Sequence, residues 1–275
     1  FHMGNRLEAL LKFCESAISY IQQYTKNCEF NVQLHDEEPK LSCFRFDASI
    51  NEETFGTLIP DPYCLMTWGY KSLSEAFLSK EFPEWKNRHA IFFWRGSTTG
   101  INDLNIDNIE NTIRYKLCEQ SMLYENIIDA KFTSVVQTSN HINMNLILEK
   151  LYSENLLRSK IDPIYFGMHQ WIFDIDGNVN SWGLLWKLLS GSCVIRVNSK
   201  RIQWYHHKLI PWEHLIPIQA DLSDLGETLD WCMSHPSNCE QIGKNGQELA
   251  KSIIHNLLPD LSAACESYYQ QFIKT

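Results

Sequence analysis

From residue 90 onward, short apolar runs of strand type alternate with helical stretches, and this alternation constrains the fold more than any other property of the chain. Strand-type runs at 90–94 and 132–136 interleave with helical patterns at 107–121 and 143–156, the order that builds a parallel sheet with crossover helices. The clearest unit is a strand at 171–175, a turn Asp176-Gly177-Asn178-Val179-Asn180, a helix at 181–189 and a second strand at 193–197. Ser181 is placed to cap that helix, and Trp182, Leu185, Trp186 and Leu189 form its apolar stripe. A short strand at 215–218, helices at 224–233 and 239–257 and a terminal helix at 261–273 complete the pattern. The expected class is α/β.

The first 88 residues read differently. An amphipathic helix is expected from Asn5 to Lys26, followed by an acidic stretch, a strand at 41–46, a turn-rich run Ile59-Pro60-Asp61-Pro62 and a short helix at 73–78. This predicts an amino-terminal lobe over 1–88, joined by the terminal helix at 259–275, and a second lobe over 89–258.

Composition narrows the function classes. The net charge of −9, from 33 acidic against 24 basic residues, argues against a nucleic-acid surface or broad adsorption to anionic lipid. Nine cysteines at irregular spacings give neither a disulfide framework nor paired metal ligands, which places the chain in a reducing cytoplasm. Lys187 and Arg196 interrupt the longest apolar run, so no membrane span is expected, and the first residues lack the pattern of a secretion leader.

Two loops carry candidate chemistry. Asp176 to Ser181 lies between a strand's carboxyl end and a helix's amino end, where open α/β folds seat phosphate; Gly177 allows close approach, and Asn180 and Ser181 add uncharged donors. The plain alternative is an ordinary turn with a capped helix. The second loop is Trp94-Arg95-Gly96-Ser97-Thr98-Thr99-Gly100, whose arginine, glycines and hydroxyls suit a diphosphate or sugar hydroxyls. Arg114 is expected on a helix beside it, reaching the same anion, so that its removal spares the fold. Asp174-Ile175-Asp176 has the look of a two-aspartate metal motif, yet the turn after it suits phosphate better than further metal ligands.

In order along the chain, the Trp94–Gly100 string, Arg114, Asp174-Ile175-Asp176-Gly177-Asn178, Ser181-Trp182, Leu188-Leu189-Ser190-Gly191-Ser192, Trp204 and Leu209-Ile210-Pro211-Trp212-Glu213-His214 resemble glycosyltransferase family 90 over about residues 90 to 225. The family includes capsule-associated xylosyltransferases, protein O-glucosyltransferases and lipopolysaccharide-type sugar transferases. The resemblance implies a GT-B architecture: two Rossmann-like lobes with a cleft between them, the terminal helix packing back on the first lobe. It implies inverting, metal-independent transfer from a nucleotide-sugar, with UDP the expected nucleotide, to a glycan, lipid-linked saccharide or protein hydroxyl. No resident cofactor, no metal, no nucleic-acid partner and at most peripheral membrane contact go with it. Carried onto this chain, the donor would meet Arg95, Gly96, Ser97, Thr98, Arg114, Gly177, Asn178, Val179, Asn180, Ser181 and Trp182. Gln170-Trp171 stands where the family has an aromatic-lysine pair.

Inversion needs a carboxylate to take the acceptor's proton. Asp47, in Arg45-Phe46-Asp47, and Asp61, in Pro60-Asp61-Pro62, are the two candidates. A sugar- or nucleotide-binding module that has lost turnover is the alternative function, and a metal-dependent transferase at Asp174 and Asp176 is a third reading.

Overall fold

The computed structural model describes residues 31–33, 43–49, 56–79 and 81–272, with Leu11, Phe13, Glu15 and Ser19 before them. Most of the helix expected from Asn5 to Lys26 lies outside the described residues; Leu11, Phe13, Glu15 and Ser19 are themselves helical. Among the described residues the strands are β1 (Cys43–Arg45), β2 (Ala48–Ser49), β3 (Gly56–Leu58), β4 (His89–Ser97), β5 (Ile128–Ser134), β6 (His169–Asp174), β7 (Cys193–Val197), β8 (Arg201–Ile202) and β9 (Ile216–Ile218). The helices are α1 (Pro62–Met66), α2 (Lys71–Phe77), α3 (Ile113–Leu123), α4 (His141–Ser153), α5 (Leu184–Leu189), α6 (Leu225–Ser234), α7 (Pro236–His255) and α8 (Leu257–Phe272).

The chain divides into two compact units, the first holding residues up to 74 with 200–209 and 251 onward, the second 75–199 with 210–250. In the first unit, β1 pairs in parallel with β3 and β2 pairs antiparallel with β8, which is why 200–209 belongs there and not with the second lobe. Helix α8 packs on β3, with Tyr268 stacked on Phe44 at 4.2 Å, so the terminal helix returns to the first unit as expected. The expected boundary at 88 moves to 74 because Phe77 and Phe82 close over Gly167 and Trp85 meets Trp171 edge-on at 6.1 Å, all within the second unit. Residues 251–258 join the first unit because Ile254 packs against Gly69.

The second unit is a five-stranded sheet in the order β5-β4-β6-β7-β9, every pair parallel. Strand β7 is buried at all five positions, as a central parallel strand covered on both faces must be. Edge strand β5 starts at Ile128, four residues before the apolar run at 132–136, because Ile128, Ala130 and Phe132 alternate with Asp129, Lys131 and Thr133. Alternation at a half-exposed edge hides from a search for continuous apolar runs. Helix α3 likewise begins at Ile113 and not at 107: Thr112 caps it by accepting Tyr115 N–H, and residues Ile109–Asn111 form a separate 3-10 turn.

Helix α7 lies against the turn between α5 and β7 through Gly243. A Cβ built there would sit 2.5 Å from the carbonyl oxygen of Gly191, a backbone atom that cannot swing aside. Gly243→Ala is therefore expected to lower stability by about 1–3 kcal/mol through overpacking. A urea midpoint unchanged from the wild type would refute this contact.

Candidate active site

In a doubly wound sheet, ligands lodge beyond the carboxyl ends of the strands, where successive connections leave in opposite directions. Here that point lies between β4 and β6, since the chain runs from β4 outward to β5 and then returns to β6 on the other side. The two segments singled out from the sequence, Trp94–Gly100 and Asp176–Ser181, emerge there side by side, the first as the end of β4 and the loop after it.

Three contacts join them. Gly100 N–H donates to Asn178 Oδ1 at 2.9 Å. Thr99 presses on Gly177 so closely that a Cβ on the glycine would meet Thr99 Oγ1 at 2.7 Å, so a larger residue there would have to displace the Thr99 side chain. The third contact is Arg114, whose Nε donates to Asp176 O at 3.0 Å, Nη1 to Ser97 O at 2.9 Å and Nη2 to Ile175 O at 3.1 Å. Burial pulls the pKa of this guanidinium down to about 10, still far above neutrality. The expectation that removing Arg114 would spare the fold is thus corrected: three of its five N–H groups hold carbonyls of both loops. Within loop 175–183, the N–H groups of Asn178 and Val179 have no acceptor among the described residues, whereas Gly177 N–H donates to Val179 O at 3.0 Å.

The other expected donor contacts divide. Thr98 is buried, and its hydroxyl bridges Val136 by donating to the carbonyl at 3.0 Å and accepting the N–H at 2.9 Å. Gly96 lies against the Trp94 ring, and Ser97 offers its carbonyl to Arg114. Arg95 is not brought to this crevice. Its side chain lies over the Phe93 ring and donates to Trp94 O and Asp129 O, both at 2.8 Å, and to the Asp129 carboxylate at 2.6 Å.

Beneath the loop lies a charge cluster that the motif search missed. Asp174 is fully buried; its Oδ1 accepts from Ser181 Oγ at 2.6 Å and Lys187 Nζ at 2.8 Å, and its Oδ2 from Arg196 Nη1 at 2.5 Å. Burial raises the carboxyl's pKa, and Lys187 and Arg196 reverse this and hold it below the usual carboxylate range. Asp176 Oδ1 accepts Ser181 N–H at 2.7 Å and lies 3.5 Å from Arg196. Ser181 therefore does not cap α5, which starts three residues later with Gly183 at its cap position. Residues 175–183 are therefore loop, and the amino end of the helix comes only after them. The signal in the sequence was the pair of cations, Lys187 and Arg196, set inside an otherwise apolar run.

The two candidate bases lie in the first unit. Asp47 follows β1, is largely buried, and accepts from Arg201 Nη1 at 3.1 Å, a neighbour supplied by the β2–β8 pairing. Asp61 is fully buried as the cap of α1, accepting from Tyr63 N–H at 3.0 Å, Cys64 N–H at 3.1 Å and Tyr70 O–H at 3.1 Å. Left-handed backbone at Trp68, Gly69 and Tyr70 (φ 49°, 75° and 59°) swings the tyrosine onto it. Burial, opposed by those hydrogen bonds, raises the Asp61 pKa from 3.8 to about 7.

The profile of glycosyl transferase family 90 matches residues 66–257. The chain belongs to glycosyltransferase family 90. Protein O-glucosyltransferase 3 of Homo sapiens is 28% identical over 173 residues, covering 62% of this chain and 30% of its own length. Protein O-glucosyltransferase 2 of Danio rerio is 25% identical over 170 residues, covering 62% and 30%. Uncharacterized protein 179R of Invertebrate iridescent virus 6 is 27% identical over 178 residues, covering 58% and 15%. The match thus spans less than a third of these relatives' lengths. Among solved structures, Anabaena Alr3699/HepE in complex with UDP-glucose aligns over 76% of this chain and 53% of its own, with TM-score 0.42 and 8% identity. Gln170, the second residue of β6, donates its amide to Trp85 O at 3.1 Å at the end of the strand away from the crevice.

Two outcomes follow for this family member. Arg114→Ala should cost about 1–3 kcal/mol of stability, for three part-buried carbonyls left without this donor, and weaken nucleotide-sugar binding; Arg114→Lys should not restore binding, because an ammonium cannot span all three. Calorimetric titration tests this, and full rescue by lysine would show that charge alone matters. The second concerns Asp61, a carboxyl raised on folding, which makes the folded state hold an extra proton between about pH 4 and 7. Stability is then greatest below that window and falls by up to about 4 kcal/mol as pH rises through it. Asp61→Asn keeps the cap oxygen and should remove this slope from the pH dependence of the urea midpoint.

Proposed function

We propose that the chain transfers a sugar from a nucleotide-sugar, with UDP as the nucleotide, to a hydroxyl of a glycan, lipid-linked saccharide or protein, with inversion and without a metal. The observation that carries this reading is the joined pair of loops at the β4/β6 switch point. Arg114 keeps two N–H groups for the diphosphate, and the N–H groups of Asn178 and Val179 add donors that need no counter-ion. Fixed donors of this kind stabilise the charge that grows on the leaving diphosphate. Metal ligation by Asp174 and Asp176 is disfavoured on chemical grounds, because Lys187, Arg196 and Ser181 already occupy Asp174.

Asp47 is the proposed base. It takes the proton of the acceptor hydroxyl as that oxygen bonds to the anomeric carbon and the nucleoside diphosphate departs. Asp61 is the weaker candidate, since its lone pairs are committed to a helix cap and Tyr70. Asp47→Asn should lower turnover by roughly 10²–10⁴-fold while leaving donor affinity nearly unchanged, and wild-type activity should persist in chelator. The measurement is sugar transfer from a panel of UDP-, GDP- and CMP-sugars, with UDP binding followed in parallel. Full activity of Asp47→Asn moves the base elsewhere, a strict metal requirement overturns the metal-free mechanism, and donor binding without transfer in the wild type supports a binding module.

A further inference from the structure

The second unit contains another basin, at the end of the sheet opposite the crevice. It encloses about 730 Å³ among the first residues of β4, β5 and β6, the end of α3 and the segment after α4. That volume is in the range of small-molecule sites. We propose that it binds a phosphate monoester carried on a small polyhydroxylated molecule such as a sugar, at a site separate from the donor crevice.

The argument begins with Lys131. It is 8% exposed and stands directly across the strand pair from Arg95, a like charge. Its ammonium has one partner among the described residues, Ser121 Oγ at 2.7 Å, and that hydroxyl already donates to Cys118 O at 2.6 Å. Two ammonium N–H groups are thus left, and a neutral hydroxyl is a poor counter-charge for a buried cation. The nearby carboxylates are engaged elsewhere: Asp129 with Arg95 at 2.6 Å, Glu154 with Lys150 at 2.6 Å and Tyr115 O–H at 2.8 Å. Arg158, on the same lining, donates to the carbonyls of Leu157 and Asn155 and meets no carboxylate among the described residues. Glu125, at the exposed rim, is the single uncommitted acid of the basin. A compact dianion answers a point-charge ammonium and a forked guanidinium together.

The rest of the lining suits hydroxyls. Burial pulls the His169 pKa down to about 4, so its ring is neutral at physiological pH. Its Nδ1 lies 3.0 Å from Tyr165 O and donates to it, which leaves Nε2 to accept. His89, 5.3 Å away, and the side-chain amides of Asn126 and Asn155 complete the polar wall.

The test is calorimetric titration of the whole chain with inorganic phosphate, a hexose 6-phosphate and the matching unphosphorylated hexose. The hexose phosphate should bind more tightly than phosphate, and the free hexose should show no heat. Lys131→Met, which keeps the apolar stem, and Arg158→Ala, an exposed change that spares the fold, should each weaken binding by ~10-fold or more. UDP should not compete, and Asn178→Ala should leave hexose phosphate binding intact. Equal affinity for phosphate and hexose phosphate would overturn the sugar assignment. Displacement by UDP, undiminished binding in both variants, or no binding at millimolar concentration would overturn the site itself. Because UDP binding is read separately at the crevice, failure here is distinguishable from failure of the proposed transferase function.

Discussion

One buried carboxylate holds the crevice together. Asp174 ends β6, and through it Lys187 of α5, Arg196 of β7 and Ser181 of the loop are fixed to one another. A carboxylate with no solvent exposure is tolerable only because two cations and a hydroxyl surround it, and removing both cations would leave an unpaired buried charge. The loop that follows inherits its position from this cluster: Ser181 is held from both sides, by Asp174 through its hydroxyl and by Asp176 through its N–H. Arg114 then sets the second loop against the first by spanning Ser97, Ile175 and Asp176.

This arrangement bears on the chemistry. Asp174 spends both oxygens on Ser181, Lys187 and Arg196 and so offers none to a metal, whereas Asp176 Oδ2 has no hydrogen-bond partner among the described residues; the proposed donors to the diphosphate are backbone N–H groups and a guanidinium. Such donors are fixed before the ligand arrives and need little reorganisation when charge develops. At the far end of the same sheet the balance is reversed, with carboxylates consumed by Arg95 and Lys150, while Lys131 and Arg158 lack one.

The first unit separates two aspartates that look alike in sequence. Prolines on both sides of Asp61 suggested a held, loop-borne carboxylate, and it is indeed held, but as a helix cap under Tyr70 in a turn strained by left-handed residues. Asp47 instead accepts from Arg201, brought from more than 150 residues away by a two-residue antiparallel pair. The pairing of 201–202 with 48–49 could not be read from either segment alone.

The sequence by itself determined the parallel α/β unit, the two loops and the existence of a terminal helix, because apolar period, turn residues and motif order are local properties of the chain. Gly177 and Asn178 were legible for the same reason. The tertiary structure alone decided which polar groups those loops spend on one another: Arg95 turned to Asp129, Ser181 to Asp174, and Arg114 became a clamp on three carbonyls. It also decided that Lys187 and Arg196, visible in sequence only as interruptions of an apolar run, form the floor of the site. The physical reason is that a strand or helix pattern fixes which face a side chain occupies, while the partner it meets there comes from a segment distant in sequence, and a buried charge is specified by its partner.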